Sequence, residues 1–316
     1  MKKKQFIKDL KKDEIVNDIF VVKFKKPVEP YKNGYKFELR LGDSTKEIMY
    51  KYWGSDNQTL VKALYDSIKK DDIIHVQGRV NEWNNNLEIS ANNDHLIKIL
   101  KEDEYHKEDF VKKTEKDIGE MYNELLNIIN KIEDKEIKDI VEHFFLDEGF
   151  SSKFKVSPAA MYIHHGWIGG LLEHTLSVVK IALDICKYYD VNKDLVIAGC
   201  LLHDIGKLEE FALTTNISVT NEGMLVGHVT IGCEMLNKAM NKLNTSKELR
   251  MKLIHIIISH MGDYGSNKTP AFPEALIVYQ ADRIDCDLTH MNTLIKEANT
   301  EDDYVYDKNV GNIYLR

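Results

Sequence analysis

The apolar residues of this chain change period once along its length. Ahead of residue 100 they come in short runs with strand spacing; beyond residue 118 they recur at helical spacing. Tyr35, Phe37, Leu39 and Leu41 alternate with Lys36, Glu38, Arg40 and Gly42, the pattern of a half-buried strand. Residues 19–25 form a β-branched and aromatic run, and Asn33-Gly34 is a hairpin-turn dipeptide. A third run covers 47–53. Leu60, Val61, Leu64, Tyr65 and Ile68 then make a helical stripe within 57–69. Residues 72–80 and 87–90 supply a fourth and a fifth strand. Three strands, a helix and two strands is the order of a five-stranded OB-type barrel.

After the barrel the chain turns charged. Apolar residues return at Ile118, Met121, Leu125, Ile128, Ile129 and Ile132, and again from Ile137 to Phe145, as amphipathic helices. Further helices are expected at 170–189, 193–206, 227–242, 246–260 and 271–287, separated by glycine-bearing breaks such as Asn221-Glu222-Gly223. The expected architecture is α+β and multidomain. A barrel occupies residues 1–100, a linker 101–117 and an all-α bundle 118–316.

Composition narrows the class. Of 316 residues 43% are hydrophobic and 30% charged, as in a globular protein. No apolar stretch approaches the roughly 20 residues that span a bilayer. The basic start, Met1-Lys2-Lys3-Lys4, leads into no apolar signal-peptide core. Cys186, Cys200, Cys233 and Cys286 are widely spaced, which suits buried thiols in a reducing cytoplasm. A cytoplasmic protein without a membrane partner is expected. Charge is uneven: residues 1–100 hold 19 Lys/Arg against 15 Asp/Glu, and the remainder 24 against 36. A basic front suits a polyanion, and carboxylates behind it suit cations. Aromatic residues stand among the basic ones of the barrel, the combination that stacks bases and neutralises phosphates in single-strand binders. Tyr35, Phe37 and Trp53 are the candidate stacking residues, and Lys36 and Arg40 the candidate phosphate contacts.

The bundle carries the chemistry. His203 and Asp204 end the apolar run that begins at Leu195, and an imidazole beside a carboxylate offers two metal ligands from one rigid element. His174, His228, His260 and Asp282 follow the same logic on other helices. Each has an ordinary explanation of its own, as a core histidine, a helix cap, a helix-end charge or half of an intrahelical ion pair. Together they place ligand types on five successive helices, which a bundle can project into one site.

The order His, His-Asp, His, His, Asp resembles the HD-domain metal-dependent phosphohydrolases. That resemblance implies one ion held by His174, His203, Asp204 and Asp282, and a second held by His228 and His260 with Asp204 as the bridge. Pro158-Ala159-Ala160, His164-His165, Gly170-Leu171-Leu172-Glu173-His174, Leu202-His203-Asp204-Ile205-Gly206-Lys207, the stretch Glu222 to His228 and Ser259-His260-Met261-Gly262 together resemble YhaM-type 3'→5' exoribonucleases. In that family an OB-type domain precedes an HD domain. Met261 departs from it, standing where members often have a second histidine.

A mixed imidazole and carboxylate shell suits Mn²⁺, Fe²⁺ or Co²⁺ better than Mg²⁺, with manganese the first expectation. Lys207, one turn after His203, is placed to neutralise a phosphate or assist the leaving group, and is expected beside Asp204 in catalysis. His164 and His165 are expected to contact phosphate, Arg283 to contact substrate or support the ligands, and Asp285 to support them. His255 matches no motif position. The expected activity is release of nucleoside monophosphates from the 3' end of single-stranded RNA, with single-stranded DNA a further substrate. A small-nucleotide phosphohydrolase, a cyclic-nucleotide phosphodiesterase and a non-catalytic nucleic-acid-binding regulator are the alternatives. The sequence leaves room for a homo-oligomer without fixing one.

Overall fold

The computed structural model describes residues 1–84, 86–161, 165–262, 268–298 and 300–316. Two compact units emerge: Met1–Lys113 with Thr214–Asn216, and Thr114–Leu213 with Ile217–Arg316.

The first unit is an OB-type barrel. Strand β1 (Ile15–Tyr31) pairs antiparallel with β2 (Gly34–Gly42), which pairs with β3 (Glu47–Trp53). Helix α1 (Gln58–Ser67) follows, then β4 (Ile73–Trp83) and β5 (Asn86–Asn92). β3 runs parallel to β5, β5 pairs with β4, and β4 returns to β1, which closes the barrel. β1 serves two neighbours because it bends: its first half lies on β4 and its second on β2, with register breaks at Val22/Phe24 and Lys26/Glu29. Asn57 caps α1 by accepting the Leu60 amide, and Val61 packs into the barrel core. A sixth strand, β6 (Ile97–Ile99), adds to β4 and was not expected from the sequence. Nor is the stretch after residue 100 a bare tether. Leu100 and Phe110 are buried with Ile19, Val21 and Ile73, and Tyr105 packs against them.

The second unit is a helical bundle with two small hairpins. Its first helices are α2 (Ile118–Ile129), α3 (Lys135–Phe145) and α4 (Glu148–Val156), followed by α5 (Gly170–Ile185) and α6 (Lys193–Leu202). Side chains of Asp117, Asp134, Asp147 and Asn192 accept the amide three residues ahead at the starts of α2, α3, α4 and α6. A short α7 (Lys207–Glu210) leads into the hairpin β7 (Phe211–Leu213) and β8 (Ile217–Val219), then α8 (Asn221–Val226). Helices α9 (His228–Lys242), α10 (Lys247–Ser259) and α11 (Pro273–Glu297) complete the bundle, and β9 (Tyr304–Asp307) pairs with β10 (Gly311–Tyr314). Leu172, Val178, Val196, Leu201, Leu236, Ile256 and Val278 belong to one continuous core. Among the described residues, no helix is long and apolar enough to cross a membrane.

Candidate metal centre

Five segments bring their candidate ligands together, four of them near a helix end. His174 lies in the second turn of α5. His203 caps the C-terminus of α6 and Asp204 follows it. His228 opens α9, His260 caps α10, and Asp282 comes from the middle of α11. His174, His203, Asp204 and His260 are buried, so these polar atoms meet one another and not water.

Asp204 organises the group. Its Oδ2 lies 3.4 Å from Nε2 of both His174 and His203. Its Oδ1 lies 3.6 Å from His228 Nε2 and 3.5 Å from His260 Nε2. One carboxylate thus faces two pairs of imidazoles with different oxygens. Asp282 Oδ1 joins the first pair, 3.2 Å from His174 Nε2 and 3.8 Å from His203 Nε2. His174, His203 and Asp204 form one grouping with metal-ligand spacing, and Asp204, His228 and His260 another.

These residues fit divalent cations. Asp204 Oδ1 is buried and accepts no hydrogen bond among the described residues, although two imidazole nitrogens face it. A buried carboxylate oxygen left so costs free energy unless a cation satisfies it. Nitrogen donors mixed with carboxylates favour Mn²⁺, Fe²⁺ or Co²⁺ over Mg²⁺.

The electrostatics of the chain alone already hold Asp204 ionised. Burial opposes its charge, but Lys207, His203 and the hydrogen bond from His174 outweigh burial and keep the carboxyl well below its usual range. Lys207 Nζ sits 2.6 Å from Asp204 Oδ2, and the same carboxylate overcomes burial to raise the ammonium pKa. Burial also pulls the His174 imidazole down, yet its hydrogen bonds to Asp204, Asp282 and Asp285 lift it well above its ordinary value. Cys286 donates its thiol to Asp282 at 3.4 Å, and burial pushes that thiol far up, so it stays protonated.

Each of these four imidazoles points Nε2 into the cluster and donates from Nδ1 to a fixed acceptor. His203 donates to the Cys200 carbonyl at 2.7 Å and His260 to the Ile257 carbonyl at 2.6 Å. His174 donates to Asp285 at 2.7 Å, and His228 to Glu210 at 3.0 Å. Glu210 carries no signal in the sequence, being 18 residues from its histidine with a hairpin between. Asp285 had one signal, the position one helical turn after Asp282.

Other expected site residues divide. His165 is a correction: it is buried and donates from Nε2 to Asp285 at 2.9 Å, behind His174, so it does not offer its ring to phosphate. Its neighbour His164 lies outside the described residues. Arg283 bonds Asp287 at 2.6 Å along α11. His255 accepts the Ala271 amide at 3.0 Å, away from the cluster.

In the barrel, Phe37 is a second correction. It is fully buried and stacks on Tyr52, so the inward phase of its strand removes it from any base. Tyr35 is half-buried against the core. Trp53 is half-buried on the outward phase, donates to Ser90 at 3.0 Å and meets Tyr31 edge-on. Lys36 lies opposite Trp53 across β2 and β3 and pairs with Glu29 and Glu38; Arg40 is exposed near Glu47. Phe24 and Trp83 are the more exposed rings of this unit.

A bundle whose helices deliver, in chain order, His, His-Asp, His, His and Asp to one cluster is the arrangement of an HD-domain protein, and the HD domain family matches residues 171–287. Several curated relatives match most of the chain. The 3'-5' exoribonuclease YhaM of Shouchella clausii is 31% identical over 266 residues, covering 82% of this chain and 80% of that protein. The protein of the same name in Bacillus licheniformis is 30% identical over 84% of this chain and 83% of its own, and that of Bacillus subtilis 28% identical over the same shares. The chain belongs to this YhaM exoribonuclease family. Among solved structures, the OB domain of Ta0387 from Thermoplasma acidophilum covers 32% of this chain and 85% of its own, at 16% identity and a TM-score of 0.24.

Proposed function

We propose that this protein is a divalent-metal-dependent 3'→5' exonuclease that shortens single-stranded RNA, and single-stranded DNA as a further substrate, to nucleoside monophosphates. The observation that carries the reading is Asp204, whose two oxygens face two separate imidazole pairs in a chain that belongs to an exoribonuclease family. His174, His203, Asp204 and Asp282 would hold one ion, and His228, His260 and Asp204 the second. When bound, two such ions supply Lewis acidity toward an attacking water and charge compensation for the phosphodiester.

The remaining work falls to the chain. Asp204 keeps its charge through Lys207 and so remains a ligand across the neutral range. Lys207, buried beside that carboxylate, adds a fixed positive charge on which a phosphate oxygen can rest. Burial of the cluster keeps bulk water from competing for those contacts. The barrel supplies the grip on a strand: Trp53 offers a ring for a base, while Lys36 and Arg40 on the same outward phase of β2 and β3 meet phosphate. Tyr35 contributes only its exposed part. Residues 1–113 act as the nucleic-acid-binding domain and the helical unit as the hydrolase.

The test is incubation with Mn²⁺ of 5'-labelled single-stranded RNA, single-stranded DNA and a panel of mononucleotides and cyclic nucleotides. A ladder of RNA products shortened from the 3' end is expected. Hydrolysis confined to the small nucleotides would contradict the reading.

A further inference from the structure

We propose that Asp285 and Glu210 are positioning residues, one for each ion, that set the affinities of the two metal sites separately. The inference rests on the two-ion reading above. It starts from an unequal pattern among the four imidazoles. His203 and His260 each donate Nδ1–H to the carbonyl three residues back, an acceptor that every helix end carries. His174 and His228 instead donate to carboxylates brought from other elements, Asp285 on α11 and Glu210 at the end of α7. The two kinds are shared out evenly. His174 and His203 face Asp204 Oδ2, and one of them is carboxylate-backed; His228 and His260 face Asp204 Oδ1, and again one is carboxylate-backed.

A carboxylate behind an imidazole fixes its tautomer and ring orientation and makes the outer nitrogen a stronger donor to metal. A backbone carbonyl fixes the ring with no added charge. Each ion would therefore meet one strengthened and one ordinary imidazole, and each strengthened one is held from outside its own helix.

Both carboxylates are themselves held. Asp285 Oδ2 receives His165 Nε2 at 2.9 Å as well as His174 Nδ1. His165 takes a left-handed backbone angle, φ +48°, and its carbonyl accepts the amides of Ala159 and Trp167. That strained turn has a purpose if the imidazole must reach Asp285. Glu210 accepts the backbone amide of His228 at 3.3 Å in addition to its ring. A Cβ on Gly223 would meet the Glu210 carbonyl oxygen at 2.5 Å, so α8 packs directly on this support.

The experiment counts bound Mn²⁺, with free Mn²⁺ read by electron paramagnetic resonance during titration of the full-length chain. Wild type binds two ions. Asp285→Asn and Glu210→Gln each weaken one of the two by about 10- to 100-fold and leave the other at its wild-type affinity. In a His228→Ala background, Asp285→Asn weakens the ion that remains, whereas Glu210→Gln changes nothing further. Thermal unfolding without metal separates this from a general loss of packing: a positioning role moves the metal affinity and leaves the metal-free midpoint close to wild type. Should Asp285→Asn fail to fold, His165→Asn frees Asp285 without touching a ligand and is expected to weaken the same ion by a smaller factor. Two ions bound at wild-type affinity in both carboxylate variants would overturn the proposal and leave the two-ion reading standing. A single ion in wild type would overturn both.

Discussion

At the scale of single residues, the candidate ligands were legible because their chemistry is carried by residue type. His174, His203, Asp204, His228, His260 and Asp282 all converge. Their supports were harder to find, since Glu210 and Asp285 reach their histidines across 18 and 111 residues. The aromatic residues of the barrel show the reverse difficulty. Alternation says that a ring lies on one of two faces, and only the closed barrel says which face is inside. Phe37 is inside and Trp53 outside, so their substitutions should separate. Phe37→Ala should lower stability by about 3–5 kcal/mol, as truncation of a buried aromatic does. Trp53→Ala should weaken binding of a single strand by about 1–3 kcal/mol with a smaller effect on folding. Denaturant titration beside fluorescence-anisotropy binding to labelled RNA checks both, and equal effects from the two variants would contradict the assignment of faces.

Glu38 gives a pH prediction at the same scale. Burial alone would raise its carboxyl, but the hydrogen bond from Lys26 and the charges of Lys26, Lys36 and Lys51 outweigh burial and lower it. A carboxyl lowered by folding stabilises the protein at pH values above its unfolded value of about 4.3, and that contribution disappears as pH falls through the folded value. The melting-temperature advantage of wild type over Glu38→Gln should therefore shrink as pH is lowered from about 6 toward 3. An advantage that stays constant over that range would show that these ion pairs do not favour the charged form.

At the scale of elements, the site depends on how closely helix ends approach. Gly206 follows the His203-Asp204 turn, and a Cβ there would meet the His228 carbonyl oxygen at 2.0 Å and the Gly232 amide nitrogen at 2.6 Å. Only hydrogen fits between that turn and the start of α9. Gly206→Ala should push His228 away from Asp204, cost about 1–3 kcal/mol in stability and weaken the ion that His228 and His260 are proposed to hold. A variant with wild-type melting temperature and Mn²⁺ binding would mean that this approach can relax freely. The sequence located the main helices because their apolar stripes are long. It missed α11 beyond residue 287 and the β9–β10 hairpin. In that hairpin Tyr304, Tyr306 and Tyr314 are exposed and Ile313 is buried, so little hydrophobic patterning marks it.

At the scale of the whole molecule, the two units carry separate cores, and the cluster proposed to hold metal lies in the helical one. A ligand that binds only folded protein raises stability according to its concentration relative to its dissociation constant. Chelation should thus lower the calorimetric transition of the helical unit and leave that of the barrel in place. Equal shifts in both transitions would show that the metal is not confined to the HD cluster. The central claim, that Asp204 joins two ions into one hydrolytic site for the 3' end of RNA, is tested most directly by single-turnover digestion of 5'-labelled RNA. Wild type and Asp204→Asn are compared with Mn²⁺ in excess. Wild type should give a 3'-shortened ladder, and Asp204→Asn should slow it by more than about 100-fold, beyond what loss of an outer support costs. A ladder that forms at the wild-type rate in Asp204→Asn would contradict the account.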